Sequence, residues 1–253
     1  MASLFGAFND ALGENNSTVK LVIYSLPVFF CSYLYVSKNQ FAAYLFAIPT
    51  LILLTALMCV GINNVRSNKR EILTFNIITL ISVTIKLFFA IVPLLLVVLF
   101  VGGLIVSVVK IPFEIPYIQL LFNSIVCMIL FSVVLTAYIS FSTSLNITDA
   151  YNLKVIFESS ADVLINLLFL FIQLGIFNGI IVGFVWYLCS VVNIPITNPL
   201  FIYFCSFIFM LNISALSSYF AQVSYELIKG KDDDYRDNYY MSGGGLYGSN
   251  RKR

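Results

Sequence analysis

Apolar residues along this chain come in long unbroken runs, not in alternation with polar ones. Six runs are long enough to cross a bilayer. A spanning helix takes about 20 mostly apolar residues, because lipid offers backbone polar groups no water to bond with. The runs cover Val19–Val36, Phe41–Ile62, Leu87–Val109, Tyr117–Phe141, Val163–Val191 and Leu200–Val223. An outer-membrane barrel would instead show alternating segments of about ten residues. The pattern predicts an all-α membrane protein, with one polytopic domain over residues 1–225 and a polar, disordered tail over 226–253.

The third run is too long for its task. From Ile77 to Val109 no strong break occurs, and about 50 Å of helix overshoots a ~30 Å core even with tilt. Ile72–Thr84 is therefore read as an interfacial helix that precedes the span proper. Lys86 then sits at the membrane border, its stem in apolar surroundings and its ammonium reaching for water. The sharper reading makes Lys86 an ion or substrate contact inside the membrane.

The runs pair off behind short lead segments that begin near Ser3, Asn68 and Asn146, which suggests three repeated lead-plus-two-span units. The first lead, Ser3–Gly13, is amphipathic: Leu4, Phe5, Ala7, Phe8, Ala11 and Leu12 fall within an arc of ~160°. Ser3 can cap its start and Gly13 can end it. Such a helix lies on the membrane surface or against the bundle. Glu71–Leu80 is apolar nearly all round, which suggests burial among other helices. Asn146 reads as the cap of a third helix, with Asp149 near its positive end. Pro116 and Pro199 suit first turns, whereas Pro27, Pro49 and Pro93 fall inside spans and should kink them.

Within span five, Gly175, Gly179 and Gly183 recur every four residues and so share one helix face. Such a face lets another backbone approach closely, within the chain or from another protomer. Gln173 and Asn178 in the same span, Asn123 in span four and Asn212 in span six are candidates for hydrogen bonds across helices, or for a polar substrate path.

Composition narrows the chemistry. Of 253 residues, 60% are hydrophobic and 10% charged, so a soluble enzyme and a disordered chain are both excluded. Histidine is absent, which removes the commonest general base and metal ligand. With six spans, eleven of the fourteen basic residues fall on the side of both termini, and the opposite loops hold only Lys38 and Lys110. The positive-inside rule then puts both termini in the cytoplasm. The lead has no short basic region of the signal-peptide kind. Cys31, Cys59, Cys127, Cys189 and Cys205 all fall in spans without metal or disulfide spacing and read as buried free thiols. The sequons at Asn15, Asn16 and Asn146 lie on the cytoplasmic side, and that at Asn212 inside a span, so none should be glycosylated.

Two acidic groups are candidate sites. Asp233–Asp237 fits the DDxxD pattern by which isoprenoid synthases hold magnesium, but it stands in the tail with no second acidic cluster. Asp149, Glu158 and Asp162 lie before span five. Lys154, Glu158 and Asp162 share one face of a helix through that region, which reads as a solvated charged surface rather than an acid–base pair. No catalytic residue, metal, cofactor or nucleic-acid partner is expected. Arg251-Lys252-Arg253 could touch anionic lipid heads.

The lead Leu4-Phe5-Gly6-Ala7-Phe8-Asn9, the span pair behind it, Arg66 and Arg70 after the second span, and Ser144–Ile156 together resemble domain-of-unknown-function family 4013. These are prokaryotic multi-pass membrane proteins. The resemblance covers most of residues 1–225. It implies a bacterial or archaeal cytoplasmic membrane and brings no catalytic residues. The function expected is a non-enzymatic scaffold or accessory subunit that meets a membrane partner or a second copy through its glycine face. A small transporter or channel is the alternative, and a lipid-acting enzyme a remote one.

Overall fold

The computed structural model describes residues 3–14, 16–69, 71–108 and 116–227. Among them the chain is wholly helical: α1 (Leu4–Gly13), α2 (Ser17–Val36), α3 (Gln40–Arg66), α4 (Ile77–Val108), α5 (Pro116–Ser144), a 3-10 turn (Ile147–Tyr151), α6 (Leu153–Val191) and α7 (Pro199–Leu227). The helices α2 to α7 are long and apolar enough to cross a membrane. Their outer faces are apolar too, with Phe41, Phe100 and Ile180 all exposed, so lipid must cover them. The protein is a multi-pass integral membrane protein. The sequon at Asn15, together with Arg70, Lys110 and the tail with its Asp233–Asp237 and Arg251–Arg253 runs, lies outside the described residues.

Helix ends follow local chemistry. The Ser3 side chain accepts from the Gly6 N–H at the start of α1, and Asn39 accepts from Ala42 N at the start of α3. Pro116 and Pro199 open α5 and α7, the latter behind Asn198, whose side chain accepts from Leu200 N at 2.9 Å. Lys38 turns the α2–α3 connection in the left-handed region, at φ 63°.

The six long helices form two shells. The second helix of each pair, α3, α5 or α7, lies inside; 39%, 28% and 44% of their most apolar windows are buried, against 22%, 11% and 6% for α2, α4 and α6. The outer α2 packs between α3 and α7, α4 between α3 and α5, and α6 between α5 and α7. Each outer helix thus bridges the inner helix of its own pair and that of the preceding pair. This cyclic order is the spatial counterpart of the three-unit reading. The leads do not share it: one is a ten-residue helix, one a non-helical strap over 71–76, and one a 3-10 turn.

Small residues let the inner helices close up. Ser214, Ala215, Ser217, Ser218, Ala221 and Ser224 of α7 are fully buried. A Cβ on Gly61 of α3 would lie 2.8 Å from that of Ser217. Two of the serine hydroxyls are quenched within the helix, Ser217 donating to the Ile213 carbonyl and Ser224 to that of Ala221, whereas the buried Ser214 hydroxyl has no partner.

Several expectations are corrected. No separate interfacial helix runs over Ile72–Thr84. Glu71–Asn76 is non-helical, and a single 32-residue α4, about 48 Å long, starts at Ile77 with Asn76 accepting from Thr79 N at 3.1 Å. Burial over Glu71–Leu80 falls on Ile72, Leu73 and Thr74 of the strap and on Leu80, while Ile77 and Ile78 project outward. Asn146 makes no side-chain cap. The chain breaks after one 3-10 turn and Asn152 caps α6 instead, accepting from Val155 N. The buried face of α1 overlaps its apolar arc but is rotated by about 60° from the arc's centre: Ala7, Phe8 and Ala11 are buried with Asp10, while Phe5 and Leu12 stand exposed. Of the five thiols only Cys59 is buried, and Cys127 is exposed.

Candidate functional site

Polar side chains gather at one end of the bundle, where α1, the start of α2, the ends of α3, α5 and α7 and the strap meet. At its centre the Lys20 ammonium pairs with the Glu14 carboxylate and, at 3.2 Å, with Glu71. The Lys20 and Glu14 side chains are 9% and 1% exposed. Both carboxylate oxygens of Glu14 accept from the Leu73 N–H at 3.2 Å, and the Tyr24 hydroxyl donates to the Thr74 carbonyl. Lys20 lies 5.9 Å from the centre of the Phe75 ring, which stacks on Tyr24. The strap is thus held to α2 by ion pairs, hydrogen bonds and a ring.

The ionisation of Glu14 is not free. Burial pushes its carboxyl pKa above the usual glutamate value, and the hydrogen bond and charge of Lys20, with the Leu73 and Ile72 N–H groups, offset this only in part. Around this pair lie further ties. Ser218 donates to Asp10 at 2.6 Å, the Ser3 N–H to Gln222 at 2.8 Å, and Arg66 to the Ser224 carbonyl and hydroxyl. The Arg66 guanidinium also lies 5.1 Å from the Tyr225 ring. The arrangement locks α1 and the strap onto α2, α3 and α7. Glu14, Lys20 and Glu71 show no helical spacing, so no local pattern joins them; the one signal in the sequence is a lysine at the very start of an apolar run.

The residues singled out from sequence are scattered. Asn178 and Asn212 do meet, the Asn212 amide donating to Asn178 at 2.8 Å and so joining α6 to α7. Asn123 accepts from Gln119 one turn earlier, within α5. Gln173 is exposed on α6. Lys86 is exposed and reaches the Leu145 carbonyl at 3.4 Å, a cation at the C-terminal end of α5 where the helix dipole favours one. Asp149 accepts from Ser144 at 2.5 Å and closes the turn after α5. Lys154, Glu158 and Asp162 line the exposed first turns of α6.

Gly175, Gly179 and Gly183 meet nothing: a Cβ on any of them would have no neighbour within 4 Å. The face of α6 that the chain itself buries carries Ile156, Ser159, Val163, Leu167 and Leu170. At 100° per residue the glycines lie about 160° from that face. Close helix approach inside the chain is made elsewhere, at Gly61 and at Gly102, where a Cβ would lie 2.6 Å from the Leu130 side chain.

Among the described residues, hollows of about 600, 420 and 300 Å³ open among the helices, and Gln173, Asn178 and Asn212 line none of these three. Among the described residues no group of three or more Cys, Asp or Glu side chains is placed to hold a metal ion. Comparison with protein-family models, with curated proteins and with solved structures finds no match.

Proposed function

We propose that this protein is a non-enzymatic membrane scaffold or accessory subunit, docking a transmembrane helix of a partner against the outer face of α6. The carrying observation is the glycine stripe at Gly175, Gly179 and Gly183, left open by the chain and set nearly opposite the face that α6 buries. In lipid, association rests on close backbone packing, and a stripe of this kind is what such packing uses. The polar end, tied by Lys20, Glu14 and Arg66, serves to hold the bundle in shape.

The excess of basic residues on the side of both termini supports a cytoplasmic-membrane protein with those termini in the cytoplasm. The family resemblance around Leu4–Asn9 and Ser144–Ile156 supports a prokaryotic source. A transport reading would need a path lined by Gln173, Asn178 or Asn212, and the 600, 420 and 300 Å³ hollows are lined by none of them.

The test is affinity purification in mild detergent of the full chain, of Gly179→Leu and of a chain ending at residue 227. A stoichiometric partner, or a second copy, that accompanies the full chain and is lost with Gly179→Leu supports the reading. Retention by Gly179→Leu, or a lone monomer throughout, refutes it. Loss only on truncation moves the interaction to the tail and refutes the α6 assignment.

A further inference from the structure

At the end of the bundle remote from the polar cluster, α6 and α7 are joined by the turn 192–198. Val191, Val192, Ile196 and Leu200, on and beside it, are 57–79% exposed. No charged residue occurs between Asp162 and Glu226, so neither the turn nor its flanks carry a charge that must reach water. The connection between α2 and α3, Ser37-Lys38-Asn39, is polar by contrast and carries a lysine. The two connections lie at one level: a hollow of about 420 Å³ is lined both by Val36, the last residue of α2, and by Ile196 of the turn. The backbone of the turn also asks little of water. The N–H groups of Val192, Asn193, Ile194 and Asn198 are bonded to nearby backbone carbonyls, and that of Leu200 to the Asn198 side chain. Pro195 and Pro199 have no N–H to satisfy.

We infer that the α6–α7 turn is inserted into the lipid leaflet remote from the polar end, at the boundary between headgroups and acyl chains, and does not stand in water. Continuity selects lipid as its cover. Exposed apolar surface runs from Ile180 and Phe184 on the outside of α6, through Val191, to Leu200 of α7, so the lipid around the spans meets the turn without a charged break. Trp186 and Tyr187, exposed near the end of α6, are the residue types that settle where headgroups meet chains. Depth is bounded from both sides. Non-helical backbone is not tolerated facing lipid within the hydrocarbon itself. The level of Val36 in turn keeps the turn beside the end of a spanning helix and not beyond it. An apolar element at such a boundary sinks ~5–10 Å into it. The inference is independent of the glycine stripe, whose nearest member, Gly183, lies about two helical turns before Val191.

The experiment reads the depth of a tryptophan placed on the turn of the full chain. Trp186 is the only native tryptophan, so Trp186→Phe clears the background. In that background Ile196→Trp and Val192→Trp, both at exposed positions, report on the turn, and Ser37→Trp reports on the polar connection at the same level. The variants are placed in phosphatidylcholine nanodiscs, which leave both membrane faces open to water. Emission is quenched by nitroxide lipids labelled on the headgroup or at carbon 5 of the acyl chain, and separately by iodide. Both turn reporters should lose at least twice as much emission to the carbon-5 nitroxide as to the headgroup one. Iodide should quench them no more than one third as strongly as it quenches the Ser37→Trp reporter. Iodide quenching equal to that of Ser37→Trp overturns the proposal, because the turn then stands in water. Stronger quenching from the headgroup than from carbon 5 overturns it too. Protection from iodide and from both nitroxides also counts against it, as the mark of protein lying over the turn.

Discussion

Replacing Lys20 by Met tests whether the polar end is held by charge. The substitution keeps the length of the stem but leaves Glu14, whose side chain is 1% exposed, with the Leu73 and Ile72 N–H groups and no counter-charge. Removing one member of a buried pair costs ~3–5 kcal/mol. Because Glu14 can take up a proton instead of staying ionised, the low end, about 3 kcal/mol, is expected. At 2–4 °C per kcal/mol for a chain of this size, that lowers the thermal midpoint by roughly 6–12 °C. The assay is thermal unfolding in detergent, read by loss of monodisperse elution. Glu14→Gln should cost less, since Lys20 keeps Glu71, and the double variant should recover much of the loss. Protonation supplies an independent check. The folded-state pKa of Glu14 is raised, so its contribution to folding is full below the ordinary glutamate value and declines as pH rises through the folded value. Without Lys20 that value climbs further, so Lys20→Met should regain stability on mild acidification more than the parent does. An unchanged midpoint for Lys20→Met, a double variant no better than the single one, or a loss insensitive to pH would each refute the reasoning.

Gly61→Ala forces a methyl to 2.8 Å from Ser217 Cβ and 3.1 Å from the Ile72 carbonyl and should destabilise by about 2 kcal/mol in the same assay, since a Cβ moves only with its backbone and neither neighbour yields cheaply. Gly179→Ala, by contrast, should leave the monomer within ~0.5 kcal/mol of the parent, having no neighbour to strike. Asn212→Leu removes the hydrogen bond to Asn178 and should cost between ~0.6 and ~1.7 kcal/mol, the range of interhelical bonds in a membrane. A loss above 3 kcal/mol there would mean the asparagine pair does more than join α6 to α7.

How much was legible depended on the range of the interaction. The amphipathic arc of Ser3–Gly13 showed that a helix forms there, yet not which part of it is buried. Asp10 lies inside because Ser218, 208 residues away, offers it a hydroxyl. The break between Asn146 and Leu153 depends on Tyr151 reaching the Phe89 carbonyl and Ser140 that of Asp149, contacts between elements that no local pattern encodes. Lys86, a lone charge near a span, is exposed, while Lys20, inconspicuous at a helix start, is buried.

Length, apolar run and terminal residue type were enough to determine that the described residues hold six helices long and apolar enough to cross a membrane, and where α5 and α7 begin. Those features act within a few residues, through backbone hydrogen bonds and the cost of exposing polar groups to lipid. Which helices lie inside, and that Gly61 is enclosed while Gly175, Gly179 and Gly183 are open, were decided by the tertiary structure alone. The pairing of Lys20 with Glu14 and Glu71 was decided there too. A glycine or a lysine carries the same local signal wherever it points, and only the packing of distant helices settles what it meets.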